Sequence, residues 1–524
     1  MEKFQSFHRL DAKNIPWLCS AQRTFIFFIQ IILLSWIFLF SPNLIAEEIL
    51  EINLEEAEEI AVTNSVILAS LKDRRDVFRM VSAEKWRNYL PRVGISYFGL
   101  KNNNTNQADS QYNDIRLQLN QLIYDGGESF LEIESAKLLE LLNQEDWKIN
   151  RNQILLDTKK AYFRQLANVN KKIVTESALL RAKKLKENSR LEANAGFLSP
   201  LKLIEVETKI RELEAMVLKV ESSRQLAEIE LKKQLNLPLD CKIVLRDSLL
   251  GDYVFFEPQK WKDQSNFYLS KSEFKKSKLA IENLKIKQEI AESYWKPKVF
   301  LGGYYGQNTN GPLPVRNEVF GFNIGLQTQL GSTTNQSSLS SGLQSDGTGI
   351  QRIPGYGPQF VGKGENAFNS STFNLFDDLS YSRKIYEGKI ALSDAMRNQR
   401  YLKLSLEAEI YKASEKLKEN WQLLRIQNAK FFHTAEFWKT SILQYNEGYL
   451  TLDILVQAEL DLLRSTNDVT DTLVSYLDSG FELCHRLGVE ETELGFYKWE
   501  KGMGNSIVNE LYKTKYFELE IKTK

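Results

Sequence analysis

Cysteine, histidine and proline are all scarce in this chain of 524 residues, which has three, three and eleven of them. One cysteine lies in a leader segment discussed below, which leaves Cys241 and Cys484. The two could pair or stay as thiols, but two cysteines in so long a chain make no disulfide framework. His8 falls in the same leader. His433 and His485 stand in no His-Glu-x-x-His, Gly-x-Ser-x-Gly or metal-cysteine arrangement. The many Glu and Lys residues read as solvated helix faces and inter-helix pairs rather than as catalytic groups. No enzyme activity, cofactor or metal site is therefore expected.

Net charge is missing too. The chain has 68 Lys and Arg against 68 Asp and Glu, and removing the four basic and two acidic residues of segment 1–46 leaves 64 against 66. That balance gives no support to nucleic-acid binding. Long apolar runs are absent after residue 46. The one before it, Phe25 to Phe40, has sixteen uncharged residues, fewer than the ~20 that a membrane-spanning helix needs. Lys3, Arg9, Lys13 and Arg23 precede it, and Pro42 and Ala46 lead into Glu47-Glu48. This order reads as a secretory signal peptide over 1–46, cleaved after Ala46. A retained anchor is the alternative, because the basic lead is long and Leu44 is bulky.

What the chain does contain is a duplication. Gly196-Phe197-Leu198-Ser199 precedes a run ending Leu235-Asn236, and Gly448-Tyr449-Leu450-Thr451, 252 residues on, precedes one ending Leu487-Gly488. Trp86, Tyr89 and Pro91 are echoed by Tyr294, Trp295 and Pro297. A first repeat over 47–238 and a second over 271–489 follow, with a linker at 239–270 and a tail at 490–524. Each repeat reads as a helix, two short β segments and two very long helices.

The β segments alternate. Ile115 to Leu122 places apolar and polar side chains on opposite faces, as do Phe322-Asn323-Ile324 and Leu326-Gln327. Their partners would be Arg92 to Leu100 and Lys298 to Gly306. An apolar face backed by a Gln/Asn-rich face suits a barrel wall between lipid and water. Tyr89, Tyr124, Tyr294 and Trp295 flank both hairpins, where amphipathic rings favour the headgroup layer. Four strands cannot close a barrel, so several copies must share one; three copies would supply twelve strands.

Helix accounts for most of the rest. Between Glu128 and Asn188 there is no proline or glycine, and proline is absent from Phe373 to the C-terminus. Gly196 and Gly448 break the rods at matching points, with Ser199 and Pro200, or Thr451, restarting them. Each pair is thus a helical hairpin whose tip lies far from the strands. Leu201, Ile204 and Ile210, and Leu452, Leu455 and Leu462, recur at helical spacing as packing seams.

These features together resemble the TolC-type outer membrane efflux protein family, over roughly residues 53–490. Gln121-Leu122-Ile123-Tyr124-Asp125-Gly126-Gly127 is similar to the family's junction between barrel and helices, with Leu122 where proline is usual. Leu452-Asp453-Ile454-Leu455-Val456-Gln457-Ala458-Glu459 is close to its periplasmic tip pattern. The resemblance implies a mixed α/β membrane protein, a homotrimer whose shared β-barrel of four strands per chain sits in outer membrane lipid and continues as a periplasmic α-helical barrel. It implies passive conduction in an efflux or type I secretion system, with a periplasmic adaptor (membrane fusion) protein and an inner membrane transporter as partners. A periplasmic coiled-coil adaptor or scaffold without a pore is the alternative. The resemblance also makes 239–270 an equatorial belt around the tunnel, on which the tail could pack.

Asp453, Val456 and Gln457 are the candidate gate, expected to be closed at rest. Asp453 admits two readings: a first-turn carboxylate favoured by the helix field, or, by resemblance, one member of a cation-attracting ring. Val456 replaces a second acidic residue found in some relatives, and Lys202 stands where it could offset the charge. Tyr124, Asp125, Gly126 and Gly127 should form the first barrel-to-helix junction, and Phe376, Asp377 and Asp378 the second. Between them and Leu330 lies a Gly/Ser/Asn-rich insert, 331–372. Its low hydrophobicity predicts a loop or disordered segment on the periplasmic side, or an enlarged extracellular loop if Thr372 to Phe376 belongs to the descending strand.

Overall fold

The computed structural model describes residues 49–103, 105, 110–196, 199–247, 249, 252–253, 267–309, 311–344, 350–351, 359–360, 364–489 and 497–498. The expected signal peptide, Phe197 and Leu198, half of the linker and nearly all of the tail lie outside these residues. Two compact units are formed. The smaller comprises, among the described residues, 49–51 and Pro238–Val244. The larger unit holds everything described below.

It begins with helices α1 (Leu54–Thr63) and α2 (Val66–Lys85) and strands β1 (Arg92–Asn102) and β2 (Ser110–Tyr124). Helices α3 (Glu128–Asn194) and α4 (Pro200–Gln234) follow, then α5 (Ser272–Glu292) and the strands β3 (Lys298–Thr309), β4 (Asn317–Leu330), β5 (Thr333–Gln344) and β6 (Gly364–Asn374). Helices α6 (Tyr381–Asn446) and α7 (Leu452–Leu487) complete it. The one described piece of the tail, Tyr497–Lys498, pairs antiparallel with Asp252–Tyr253 of the linker. The result is a mixed α/β architecture, a six-stranded antiparallel sheet joined to a bundle of long helices, with Ile350–Gln351 and Gln359–Phe360 forming a further small strand pair.

The sheet runs β6-β5-β4-β3-β2-β1. Its register puts Ile95 opposite Leu117, Leu117 opposite Tyr305, and Tyr305 opposite Phe320. A period of two then gathers the apolar side chains of four strands on one face. That face is bare: Ile95 is 80% exposed and Phe322 52%. The other face carries Asp114, Arg116, Gln118 and Asn120 on β2, with Asn323 and Gln327 on β4. Arg116 pairs with Asp114 at 2.8 Å and lies over the Tyr304 ring, 4.6 Å from its centroid.

The sheet has six strands where four were expected, and described residues of the insert supply the two extra ones. Residues 333–344 form β5 and 364–374 form β6, paired in register with β4 and with each other. Composition misled here because Ser, Thr, Asn and Gln carry little hydrophobic signal. Backbone pairing decided instead, since the free edge of β4 offers a full row of donors and acceptors. The signal for it was Gly331-Ser332: Leu330 pairs with Thr333 across a two-residue turn, with Gly331 at φ +61°.

At 1.5 Å per residue, α3 with 67 residues and α6 with 66 are rods of about 100 Å. Such rods persist only when packed along their length. Helix α3 meets α7 antiparallel through a ladder of ion pairs: Lys160 with Glu482, Arg164 with Asp478 at 2.8 Å, Lys171 with Asp471, and Arg181 with Glu459 at 2.5 Å. Within the ladder Phe163 stacks on Phe481, their centroids 5.2 Å apart. Helix α7 is the interior element, with 22 of its 36 residues buried, whereas α4 buries five of 35. The seam Leu452, Leu455, Leu462 is core, as expected; of the first seam only Ile210 is buried, and Leu201 and Ile204 stay exposed.

Glu221 accepts hydrogen bonds from Arg224, and Lys172 of α3 lies 2.9 Å away. These bonds hold its carboxyl down from an ordinary 4.5 to about 2. A carboxylate depressed on folding contributes stability that is complete above its unfolded value and lost as pH falls through the folded one. Urea midpoints should therefore hold steady above pH 5 and fall from pH 4 towards 2, and Glu221→Gln should make that fall shallower.

Candidate functional site

Two places in the larger unit gather the residues singled out in the sequence: the junction of strands and helices, and the hairpin tips. At the first junction β2 ends at Tyr124 and the chain turns through Gly126 (φ +75°) and Gly127 (φ +89°) into α3. Both glycines occupy the left-handed region, and a Cβ on Gly126 would come within 2.7 Å of Lys296. Asp125 caps the helix, accepting from Gly127 N at 3.0 Å and Ser129 N at 2.7 Å. Burial alone would raise its carboxyl, but these bonds outweigh it and the net shift is downward. Lys296 donates to the Gly126 carbonyl, and Lys298 to Glu128.

The second junction is built differently. Phe376 turns the chain at φ +58°, and Asp378 accepts from Ser380 N and Oγ at 2.9 and 2.6 Å. The Ser380 bonds and Lys384 hold the Asp378 carboxyl at about 2. Asp377 accepts from Thr334 Oγ1 at 2.6 Å, which ties the junction to the base of β5. Of the flanking aromatics, Tyr89, Tyr124 and Trp295 are exposed. Tyr294 is half-buried, packed at 5.2 Å on Tyr381 at the start of α6.

At the tips Gly196 (φ +83°) and Gly448 (φ +85°) end α3 and α6, as their sequence positions predict. Ser199 then caps α4, accepting from Lys202 N, with Pro200 in the first turn. Thr451 occupies the cap of α7 without a side-chain bond. Asp453 is half-buried in the first turn of α7, and its backbone carbonyl accepts from Lys209 Nζ at 2.7 Å. Lys202 Nζ lies 3.9 Å from Asp453 Oδ1, near enough for attraction and too far for a hydrogen bond. Gln457 is half-buried and donates to Asp461 at 3.0 Å. Val456 is fully buried, so the structure turns it away from the face shared by Asp453 and Gln457.

Sequence reading missed the anchor one and a half turns beyond Asp453. Glu459, buried to 2%, receives Arg181 of α3 on one oxygen and Trp438 Nε1 of α6 at 2.5 Å on the other. One carboxylate thus joins three helices. Nothing in the local sequence marks it, because its partners lie 278 and 21 residues away. Removing one member of a buried pair leaves the other charge without compensation and costs roughly 3–5 kcal/mol. Arg181→Ala should lower stability by that order in denaturant unfolding, with Glu459→Gln costing less because the Trp438 bond can persist.

Comparison with solved structures gives consistent relatives. The CmeC outer membrane channel of Campylobacter jejuni superposes with a TM-score of 0.64 at 12% identity, over 89% of each chain. The MtrE outer membrane channel of Neisseria gonorrhoeae, in its open state, gives 0.62 at 14% identity, over 83% of this chain and 89% of that one. The outer membrane protein VceC of Vibrio cholerae gives 0.62 at 12%, over 83% and 96%. No protein-family model matches the chain, and no curated protein matches it. The chain thus has the fold of the TolC-type outer membrane channels.

Proposed function

We propose that this protein is the outer membrane channel of a tripartite efflux or type I secretion system, a passive conduit fed by an inner membrane transporter through a periplasmic adaptor. The observation that carries this reading is the sheet's bare apolar face. Across β1 to β4 it is uncovered and backed by a polar face, and it leads directly into helices of about 100 Å. A water-soluble adaptor or scaffold has no use for such a face, whereas a barrel wall requires one.

Sharing of the barrel among copies, three by resemblance, is supported by apolar side chains left exposed along the helices. Leu201, Ile204 and Leu218 on α4 and Tyr386, Ile390 and Leu404 on α6 are each more than half exposed. A neighbouring protomer would cover them. The duplication reading is supported by lengths of 67 and 35 residues in one helix pair and 66 and 36 in the other. It is supported as well by Glu212 and Arg464, 252 residues apart, which meet in an ion pair between α4 and α7.

The tip is the gate in this reading, and Asp453 its charged group, partly neutralised by Lys202. Contacts from Lys209 and Lys202 hold the start of α7 against α4 and favour a tip closed at rest. In planar bilayers the purified protein should form cation-preferring channels. Asp453→Asn should weaken that preference and the block by multivalent cations, and Lys202→Gln should strengthen both. A protein that leaves the membrane fraction without detergent and conducts nothing would refute the channel.

A further inference from the structure

We infer that the β5–β6 hairpin is part of the membrane wall, and that the outer edge of β6 receives β1 of a second copy of this chain, so that each protomer contributes six strands. This rests on the channel reading above. Lengths are the first support: β5 has twelve residues and β6 eleven, and a transmembrane strand needs about 9–11. Pairing is the second, since β5 follows β4 in register from Thr333 to Gln344 without a bulge. An arrangement in which the neighbour's β1 sat on β4 would have to strip that whole ladder away.

Charge is the third. Residues 331–374 contain four charged side chains, Asp346, Arg352, Lys363 and Glu365, and all of them fall at 346–365, between or at the far ends of the strands. The chain as a whole is 26% charged, so strand bodies free of charge are a marked depletion. A hairpin standing in water has no reason to exclude Lys and Glu; one crossing lipid does.

Outward positions on the hairpin are neutral rather than apolar, except Glu365, which shares that face at the far end of β6. Leu339 and Phe373 are exposed there, among Asn335, Ser337 and Ser371. The polar members bond to one another: the Ser337 and Ser371 hydroxyls are 2.9 Å apart, and Ser371 donates to Asn335 at 3.2 Å. Satisfied in this way, they cost far less against hydrocarbon than bare hydroxyls would. The hairpin also leaves and returns at one point. Asp378 N donates to the Ser332 carbonyl at 3.2 Å, and Gln329 to Asp378 at 3.4 Å. The wall therefore widens without moving the entry into α6. Three copies of the six-stranded sheet would make an eighteen-stranded barrel, about 1.5 times as wide as one of twelve because diameter grows roughly linearly with strand number.

Two measurements on the full chain test this. With Cys241→Ala and Cys484→Ala as background, Ser371→Cys on β6 should form disulfide-linked oligomers in the outer membrane when combined with Val93→Cys or Ile95→Cys on β1. Ile324→Cys on β4, combined with the same β1 positions, should not; linkage from β4 with none from β6 would overturn the inference. By electron microscopy, the membrane ring of the unaltered oligomer should be about 1.5-fold wider than that of a variant lacking 332–374. Equal widths would overturn it as well. The cross-links do not depend on the shortened variant folding. A chain that forms no oligomer in membranes would instead defeat the channel reading, and this inference with it.

Discussion

A strand edge in hydrocarbon must find a partner, and on the channel reading proposed above most of this molecule follows from that constraint. Within the sheet, β2 to β5 give their backbone groups to neighbours on both sides, while among the described residues β1 and β6 each keep one open edge. Water could satisfy those edges in a soluble protein. Against lipid nothing can, so on the proposed channel reading the bare apolar face and the open edges would be met by further copies of the chain. On that reading the sheet is a segment of a wall, with its two edges as the interfaces.

The helices answer a different problem with the same logic. A rod of about 100 Å has too little local stability to stand alone, so α7 is buried along its length against α3, α4 and α6. Ion pairs between α3 and α7 recur from Lys160 down to Arg181 and fix which residues lie side by side. Exposed pairs of this kind contribute little energy each, and their value here is register. The buried Arg181–Glu459 pair is the exception, because Trp438 and the surrounding core exclude water from it. It fixes the start of α7, and hence the tip, to the body of the bundle. At the other end the aspartate caps at Asp125 and Asp378 set where strand stops and helix begins.

Much of this was legible from residues alone. Proline- and glycine-free stretches marked the long helices, Gly196 and Gly448 marked their ends, and alternation marked β2 and β4. Each of these signals is local: a backbone conformation that only glycine takes easily, or a period that places side chains on one face. The failures were of another kind. The insert read as a loop because its Ser and Asn residues carry no hydrophobic pattern, although residues 333–344 and 364–374 form strands.

By itself, then, the sequence determined the elements and the faces they present, since propensity, capping and periodicity act over a few residues. Tertiary structure alone decided which edges and faces were already taken. Residues 333–344 become a strand because β4 lies beside them with unpaired backbone groups, and Glu459 becomes an anchor because Arg181 and Trp438 arrive from two other helices. Such partners are set by long-range packing, and no window of sequence contains them.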